Sequence, residues 1–196
     1  MHRSTTQAPP ATALDWDDLR FVLAVAEASA LVDLSQRDAD VALRLSHQVP
    51  GHLVGRVLGQ VDFCAYALRG AAGLPQAVQP LPQLCAQARW VGFERGRNSR
   101  FFERWMAAEV PDSQTVLRLD QFHAMVAILH TGIGIGLLPT FAGQREPALV
   151  PVSDAIDALR TPLWLLTHPD LRGTERIRRF MQHLAEGLTA ALVATP

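Results

Sequence analysis

From Asp15 onward, Leu19, Val22, Leu23, Ala26, Ala30 and Leu34 recur at three- and four-residue intervals, and neither Gly nor Pro interrupts the chain between Pro10 and Pro50. That spacing gathers the apolar side chains on one stripe and predicts an amphipathic helix over 15–37. The period then changes. Residues 40–45 (DVALRL) read as a buried strand, and 53–68 alternates well enough for one long strand or two shorter ones. Residues 70–82 read as a helix-and-loop stretch ending in prolines. There follow a strand 90–94 (WVGFE), a polar turn 95–99, a helix 99–110, a strand 114–119, a helix 121–131, and strands 134–138 (GIGLL) and 148–152. Strands alternating with helices at such short spacing predict a mostly parallel α/β sheet. A last strand, 163–168, precedes a C-terminal helix over 174–193 with Ile177, Phe180, Met181, Leu184, Leu188 and Leu192 on one stripe.

Composition narrows the class without naming a function. The 196 residues allow one domain or two small ones, and at 48% hydrophobic they can bury a real core, which excludes a disordered chain. With 18 basic and 19 acidic residues the net charge is −1, so no overall field draws the chain to nucleic acid, anionic lipid or an acidic partner. Cys64 and Cys85 stand in no CxxC or CxxH arrangement, which supports neither a disulfide framework nor a structural zinc site and fits a reducing compartment. Residues 1–13 lack the apolar run of a secretory signal and read as a short disordered arm on a cytoplasmic protein. The uncharged stretch 121–144 is long enough to span a bilayer, but His123, His130, its glycines and Pro139 divide it into helix, turn and strand.

Two patterns invite a chemical reading and fail it. Glycines 132, 134 and 136 look like a phosphate loop, yet a dinucleotide fingerprint follows a strand and opens a helix. Here Gly132 ends a helix, where it serves as the C-terminal cap, and the run enters a strand. His123 and His130 share a helix face but lie about 10 Å apart at ~1.5 Å rise per residue, too far to ligate one metal together. Asp120 and His123 could touch, but Asp120 is a good N-cap and no nucleophile elbow sits nearby. His47 and His52 flank a Pro50-Gly51 turn and read as solvent-facing. No cofactor or metal is expected, and the chain is not expected to be an enzyme, although an uncharacterised α/β enzyme remains an alternative.

A family resemblance emerges from longer segments. LDWDDLRFVLAVAEASAL (14–31) resembles the first helix of the winged helix-turn-helix in LysR-type transcriptional regulators. Residues 32–193 resemble that family's effector-binding domain through VDLSQRDADVALRL (32–45), LVGRVLGQVDFCAYA (53–67), WVGFERGRNSRFFERW (90–105), DQFHAMVAILHTGIGIGLLP (120–139) and LWLLTHPDLRGTERIRRFMQHLAE (163–186). The resemblance implies an α/β, periplasmic-binding-protein-like (type 2) effector domain over 32–196, with a first lobe from 32–89 and about 160–196 and a second lobe from 90–159. Near residues 30–32 the sequence passes from the first helix straight into the middle of the effector domain, as in an internally deleted regulator. The rest of the helix-turn-helix, the linker helix and the opening strand and helix of the effector domain have no counterpart. The first lobe is therefore expected to be incomplete and weaker than the second, with strands prone to pair with another chain.

The resemblance also implies a cleft between the lobes for a small-molecule effector. The residues themselves supply a reason for an anion: Arg97, Asn98 and Ser99 lie between strand 90–94 and the next helix, where Asn98 or Ser99 can cap the helix and exposed N–H groups can receive a carboxylate. Arg97 or Arg100 could add a charge-assisted bond. The alternative is an ordinary capped helix with surface arginines. By resemblance, Gln121 and Phe122 border the cleft, Thr131, Gly132 and Pro139 line the loop on the same rim, and Arg44 contributes from the other lobe. DNA reading is not expected, because the recognition helix is missing and residues 14–30 set Asp15, Asp17, Asp18 and Glu27 against Arg20 alone, a balance that repels phosphate. The alternative function is a non-DNA-binding module that pairs with intact LysR-type regulators.

Overall fold

The computed structural model describes residues 40–94, 101–119 and 124–193. Its architecture turns on Asp62, the single residue between β2 (Val54–Val61) and β3 (Phe63–Leu68). The alternating stretch is thus two strands, and they belong to different sheets. β2 pairs with β8 (Thr161–Thr167), which also pairs with β1 (Val41–Leu45), giving a three-stranded sheet in the order β1-β8-β2. β3 joins β4 (Trp90–Phe93), β5 (Thr115–Leu119), β6 (Ile135–Pro139) and β7 (Leu149–Pro151) in a five-stranded sheet, order β5-β4-β6-β3-β7. Phe63–Leu68, expected with the first lobe, is therefore hydrogen-bonded to the strands of the second.

Two sequence expectations need correction. The sheets are not mostly parallel: β4 runs parallel to β5 and β6, whereas β3 is antiparallel to β6 and β7, and β8 is antiparallel to β1 and β2. Helices link β4 to β5 and β5 to β6, and only such crossovers permit parallel neighbours. The helix expected within 70–82 lies further on, as α1 (Leu81–Gln87), with Pro82 in its first turn, where a missing N–H costs nothing. Before it the chain is held by Gln76, whose Oε1 accepts from the Gly70 N–H at 2.6 Å and whose Nε2 donates to the Leu68 carbonyl at 3.1 Å.

The remaining helices follow their apolar stripes. α2 (Phe101–Glu109) buries Phe102 and Met106, α3 (Ala124–Leu129) buries Met125 and Leu129, and α5 (Glu175–Val193) buries Ile177, Ala185 and Leu188. The short α4 (Thr140–Gly143) sits against β3, and a methyl at Gly143 would fall on the Tyr66 ring. Trp90 has no exposed surface and donates its indole N–H to the Leu84 carbonyl at 3.0 Å, so the largest core side chain leaves no polar atom unpaired. One continuous core runs from the five-stranded sheet to Leu43, Leu163 and Leu165 of the smaller sheet, with Ala185 and Leu188 of α5. A second, smaller cluster of Ala42, Leu53 and Leu166, with Val49 and Trp164 packed on it, lies on the other face of that sheet.

Candidate functional site

The larger sheet has a topological switch point. β4 comes first in the chain of the three parallel strands and lies between the other two, so the chain leaves it for β5 on one side and reaches β6 on the other. In open α/β sheets the crevice outside the carboxyl end of such a strand is where ligands bind, because the connections part there and leave a gap. The carboxyl end of β4 is Phe93, and the next residue, Glu94, donates its N–H to the Leu119 carbonyl at the end of β5 at 2.8 Å.

Five segments distant in sequence converge on this end. Phe63, just past the crossover, is the register partner of Pro139 at the carboxyl end of β6, and the Asp62 carbonyl accepts from the Thr140 N–H at 2.9 Å. The Asp62 carboxylate faces Arg160 at 3.3 Å, tying one crossing between the sheets to the other. Phe63, Phe93, Phe101 and Phe102 form an aromatic cluster, with Phe93 and Phe102 ring centroids 4.8 Å apart and Phe63 and Phe101 5.7 Å apart. From the smaller sheet, His47 sets its ring edge-on to Phe101 at 6.1 Å, and its Nε2 lies 3.4 Å from the hydroxyl of buried Thr161. The result is an aromatic-walled junction between the sheets with a carboxylate, an imidazole and a hydroxyl beside it.

Arg44 of β1 is paired in register with Trp164, whose indole N–H donates to the Ser46 carbonyl at 3.0 Å, on the face of the smaller sheet opposite Leu43 and Leu165. Its Nη1 is shut off from solvent and has no hydrogen-bond partner among the described residues. Burial lowers its pKa from the ordinary value. A half-buried cation without a counter-charge is costly, and an anion would relieve it.

The other expected site residues divide. Pro139 lies at the junction, but Thr131 and Gly132 do not. Gly132, in the left-handed region at φ 69°, donates its N–H to the Leu129 carbonyl at 3.0 Å and packs beside Leu68 and Ala71. The Thr131 hydroxyl is occupied with the Ile128 carbonyl at 2.7 Å. Both precede β6, and Pro139 ends it, so an extended strand separates them by about 3.3 Å per residue. They close α3 at the far end of the sheet and do not share a rim with Pro139. Gly134 and Gly136 admit close neighbours, for added methyls would sit 2.7 Å from the Arg89 carbonyl oxygen and 2.6 Å from the Met125 sulfur. Arg97, Asn98, Ser99, Gln121 and Phe122 lie outside the described residues, as do Asp120 and His123. Phe101, Asp62 and Thr161 were not singled out by the sequence. Their only signal was position at an element end.

The family model described as the LysR substrate binding domain matches residues 11–189. The chain belongs to this family. Solved LysR-type structures share its fold: CrgA from Neisseria meningitidis has 18% identity and a TM-score of 0.66, over 87% of this chain and 66% of that one. The bromide-bound regulatory domain of HypT from Salmonella typhimurium has 16% identity and a TM-score of 0.61, over 85% and 80% of the two chains. For CbnR, a LysR family transcriptional regulator, identity is 15% and the TM-score 0.61, over 79% of this chain and 54% of that chain, so the present chain spans about half of that relative. Among curated proteins no sequence matches. The chain is thus a LysR-type effector-binding domain with the periplasmic-binding-protein-like mixed α/β fold of its family. Among the described residues no helix is long and apolar enough to cross a membrane, and no group of three or more His, Cys, Asp or Glu side chains could hold a metal ion.

Proposed function

We propose that this LysR-type effector domain senses a small carboxylate-bearing molecule at the junction between its two sheets and does not read operator DNA by itself. The observation that carries the anionic class is Arg44, with a guanidinium nitrogen that is shut off from solvent and has no hydrogen-bond partner among the described residues. The location rests on the switch point at the end of β4. Residues 95–100 follow directly, and Arg97, Asn98 and Ser99 are read there as the loop that offers backbone N–H groups and a positive charge to the carboxylate. Gln121, Phe122 and Pro139 complete the wall, and the phenylalanines favour a ligand with an apolar body. HypT, which shares the fold, was solved with a bromide ion bound, consistent with an anion.

The test is a thermal-shift and calorimetric screen of the full chain against short aliphatic and aromatic carboxylates, with the matching amides as neutral controls. A carboxylate that raises the melting temperature in the parent chain but not in Arg44→Gln or Ser99→Ala is expected. Equal stabilisation by the amides, or none by any acid, overturns the anionic class. Loss of DNA reading rests on the acidic balance of residues 14–30 and the absence of a recognition helix in the sequence. Salt-resistant retention of one promoter fragment, with scrambled fragments released, overturns it.

The second reading, a module that pairs with intact LysR-type regulators, is favoured by one observation. β1 and β2 are the outer strands of the smaller sheet and, among the described residues, each has one edge with no strand beside it. Co-purification with a full-length relative supports that reading.

A further inference from the structure

His47 is held in place through both of its chain neighbours. The Ser46 N–H donates to the Pro162 carbonyl at 3.1 Å, and the Ser46 carbonyl accepts from the Trp164 indole N–H at 3.0 Å. The Ser46 hydroxyl accepts from the Gln48 N–H at 3.1 Å and donates to the Gln48 carbonyl. The turn after β1 is thus pinned to the start of β8, and the exposed His47 ring reaches Phe101, the first residue of the helix that follows β4. Thr161 decides which ring nitrogen carries the hydrogen. Its hydroxyl has one proton, and the Leu159 carbonyl at 2.8 Å, which can only accept, takes it. The Thr161 oxygen therefore turns a lone pair toward His47 Nε2 at 3.4 Å. A bare Nε2 would set lone pair against lone pair, so in the neutral ring Nε2 is protonated and makes a long hydrogen bond to Thr161. The free lone pair is left on Nδ1, and among the described residues no donor meets it.

We propose that His47 Nδ1 is the hydrogen-bond acceptor by which the junction selects its effector, a carboxylic acid that also carries a hydroxyl or ammonium donor on its apolar body. The inference rests on the reading of the junction as the effector site. In the free chain this exposed nitrogen is served by solvent. An apolar body lying against Phe63 and Phe101 expels that solvent, and unless the ligand brings its own O–H or N–H the acceptor is left unsatisfied. Discrimination comes from the penalty on ligands without a donor. Thr161, fully buried, is a positioning residue that acts through the imidazole by holding the hydrogen on Nε2.

The test is calorimetric titration of the full chain at pH 8, where imidazole is ordinarily neutral. The probes are mandelate, phenylglycine, O-methylmandelate and phenylacetate, with benzyl alcohol against benzyl methyl ether as an uncharged pair. Mandelate or phenylglycine should bind about 3–10-fold more tightly than the two acids without a donor, the worth of one neutral hydrogen bond. Whichever of the two binds more tightly tells hydroxyl from ammonium. His47→Phe, which keeps a ring beside Phe101, should erase the preference, and His47→Asn, with an amide oxygen near the Nδ1 position, should restore part of it. Thr161→Val should also lower the preference, which a purely structural hydroxyl would not do. The nitrogen resonance of Nδ1, identified by its absence in His47→Phe, should shift with the donors and not with the ethers. Preference for benzyl alcohol over its ether with no acid bound supports the acceptor role and defeats the carboxylate reading. Acids bound without a donor preference, a preference that survives His47→Phe, or no response to any probe overturns the proposal. Should Thr161→Val unfold, the variants at exposed His47 still decide.

Discussion

The two sheets are built from the same residue types and are buried very differently. In the five-stranded sheet β4 and β6 are buried along their whole length, and β3 along all but its last residue. In the three-stranded sheet β2 leaves Gly55, Arg56 and Val57 exposed, and β1 is fully buried only at Ala42 and Leu43. Position explains the difference, since β4, β6 and β3 have strands on both sides and helices against them, whereas β1 and β2 are outer strands beside a single central one. A strand with one partner strand keeps fewer of its amides protected, and stability is unevenly spread as a result. The larger sheet can thus hold the switch point rigid while the smaller one yields.

The sharpest way to break this comparison is Trp90→Ala, which should cost about 3–5 kcal/mol in chemical denaturation because it empties a fully buried site and removes one of the two donors to the Leu84 carbonyl. A loss near that of a surface substitution would show that the larger sheet is not the stable unit. Thiol chemistry probes the same sheet. Burial, reinforced by Asp62 and Asp154, pushes Cys64 up to about 11 from 9.0, so at pH 8 its thiolate fraction, and its labelling rate, should be about a hundredfold below those of an unperturbed thiol. The sign follows from the raised value: the native state favours the neutral thiol, so this contribution to stability is complete below pH 9 and falls as pH rises through 11. Fast labelling at pH 8 would mean that β3 opens readily.

Native-state hydrogen exchange compares the sheets directly. Amides of β6 should open at a cost about 1–3 kcal/mol above those of β1. Equal protection in the two strands removes the distinction. Arg44→Met should raise the stability of the ligand-free chain by about 0.5–2 kcal/mol, by replacing an unpaired half-buried cation, while removing any stabilisation by a carboxylate. Destabilisation instead would mean that Arg44 has a structural partner. The smallest effect belongs to Val57→Ser, within about 0.5 kcal/mol by denaturation, since that side chain is already 43% exposed. A larger loss would place Val57 in a buried interface.

Local pattern made most elements legible. The helix expected over 174–193 is Glu175–Val193, and the strands expected at 40–45, 90–94, 114–119 and 134–138 are each found within a residue or two. Gly132 was legible as a helix cap because a left-handed residue after an apolar stripe is a local requirement. The split at Asp62 was not, since the alternation continues through it while the partner strands change. Thr131 and Gly132 are close to Pro139 in sequence, but β6 carries the chain from one end of the sheet to the other. His47, Asp62, Phe101 and Thr161 come from four separate segments, and no short-range pattern announces such a meeting.

By itself the sequence determined most of the helices and strands among the described residues, and the family to which their order belongs, because periodicity and turn chemistry act over a few residues. Only the tertiary structure decided which strands share a sheet, which way they run, and that an Arg44 guanidinium nitrogen is buried with no partner among the described residues. Pairing partners and counter-charges are set by contacts between residues far apart in the chain, and the free energy of burying or satisfying a group exists only once those contacts form.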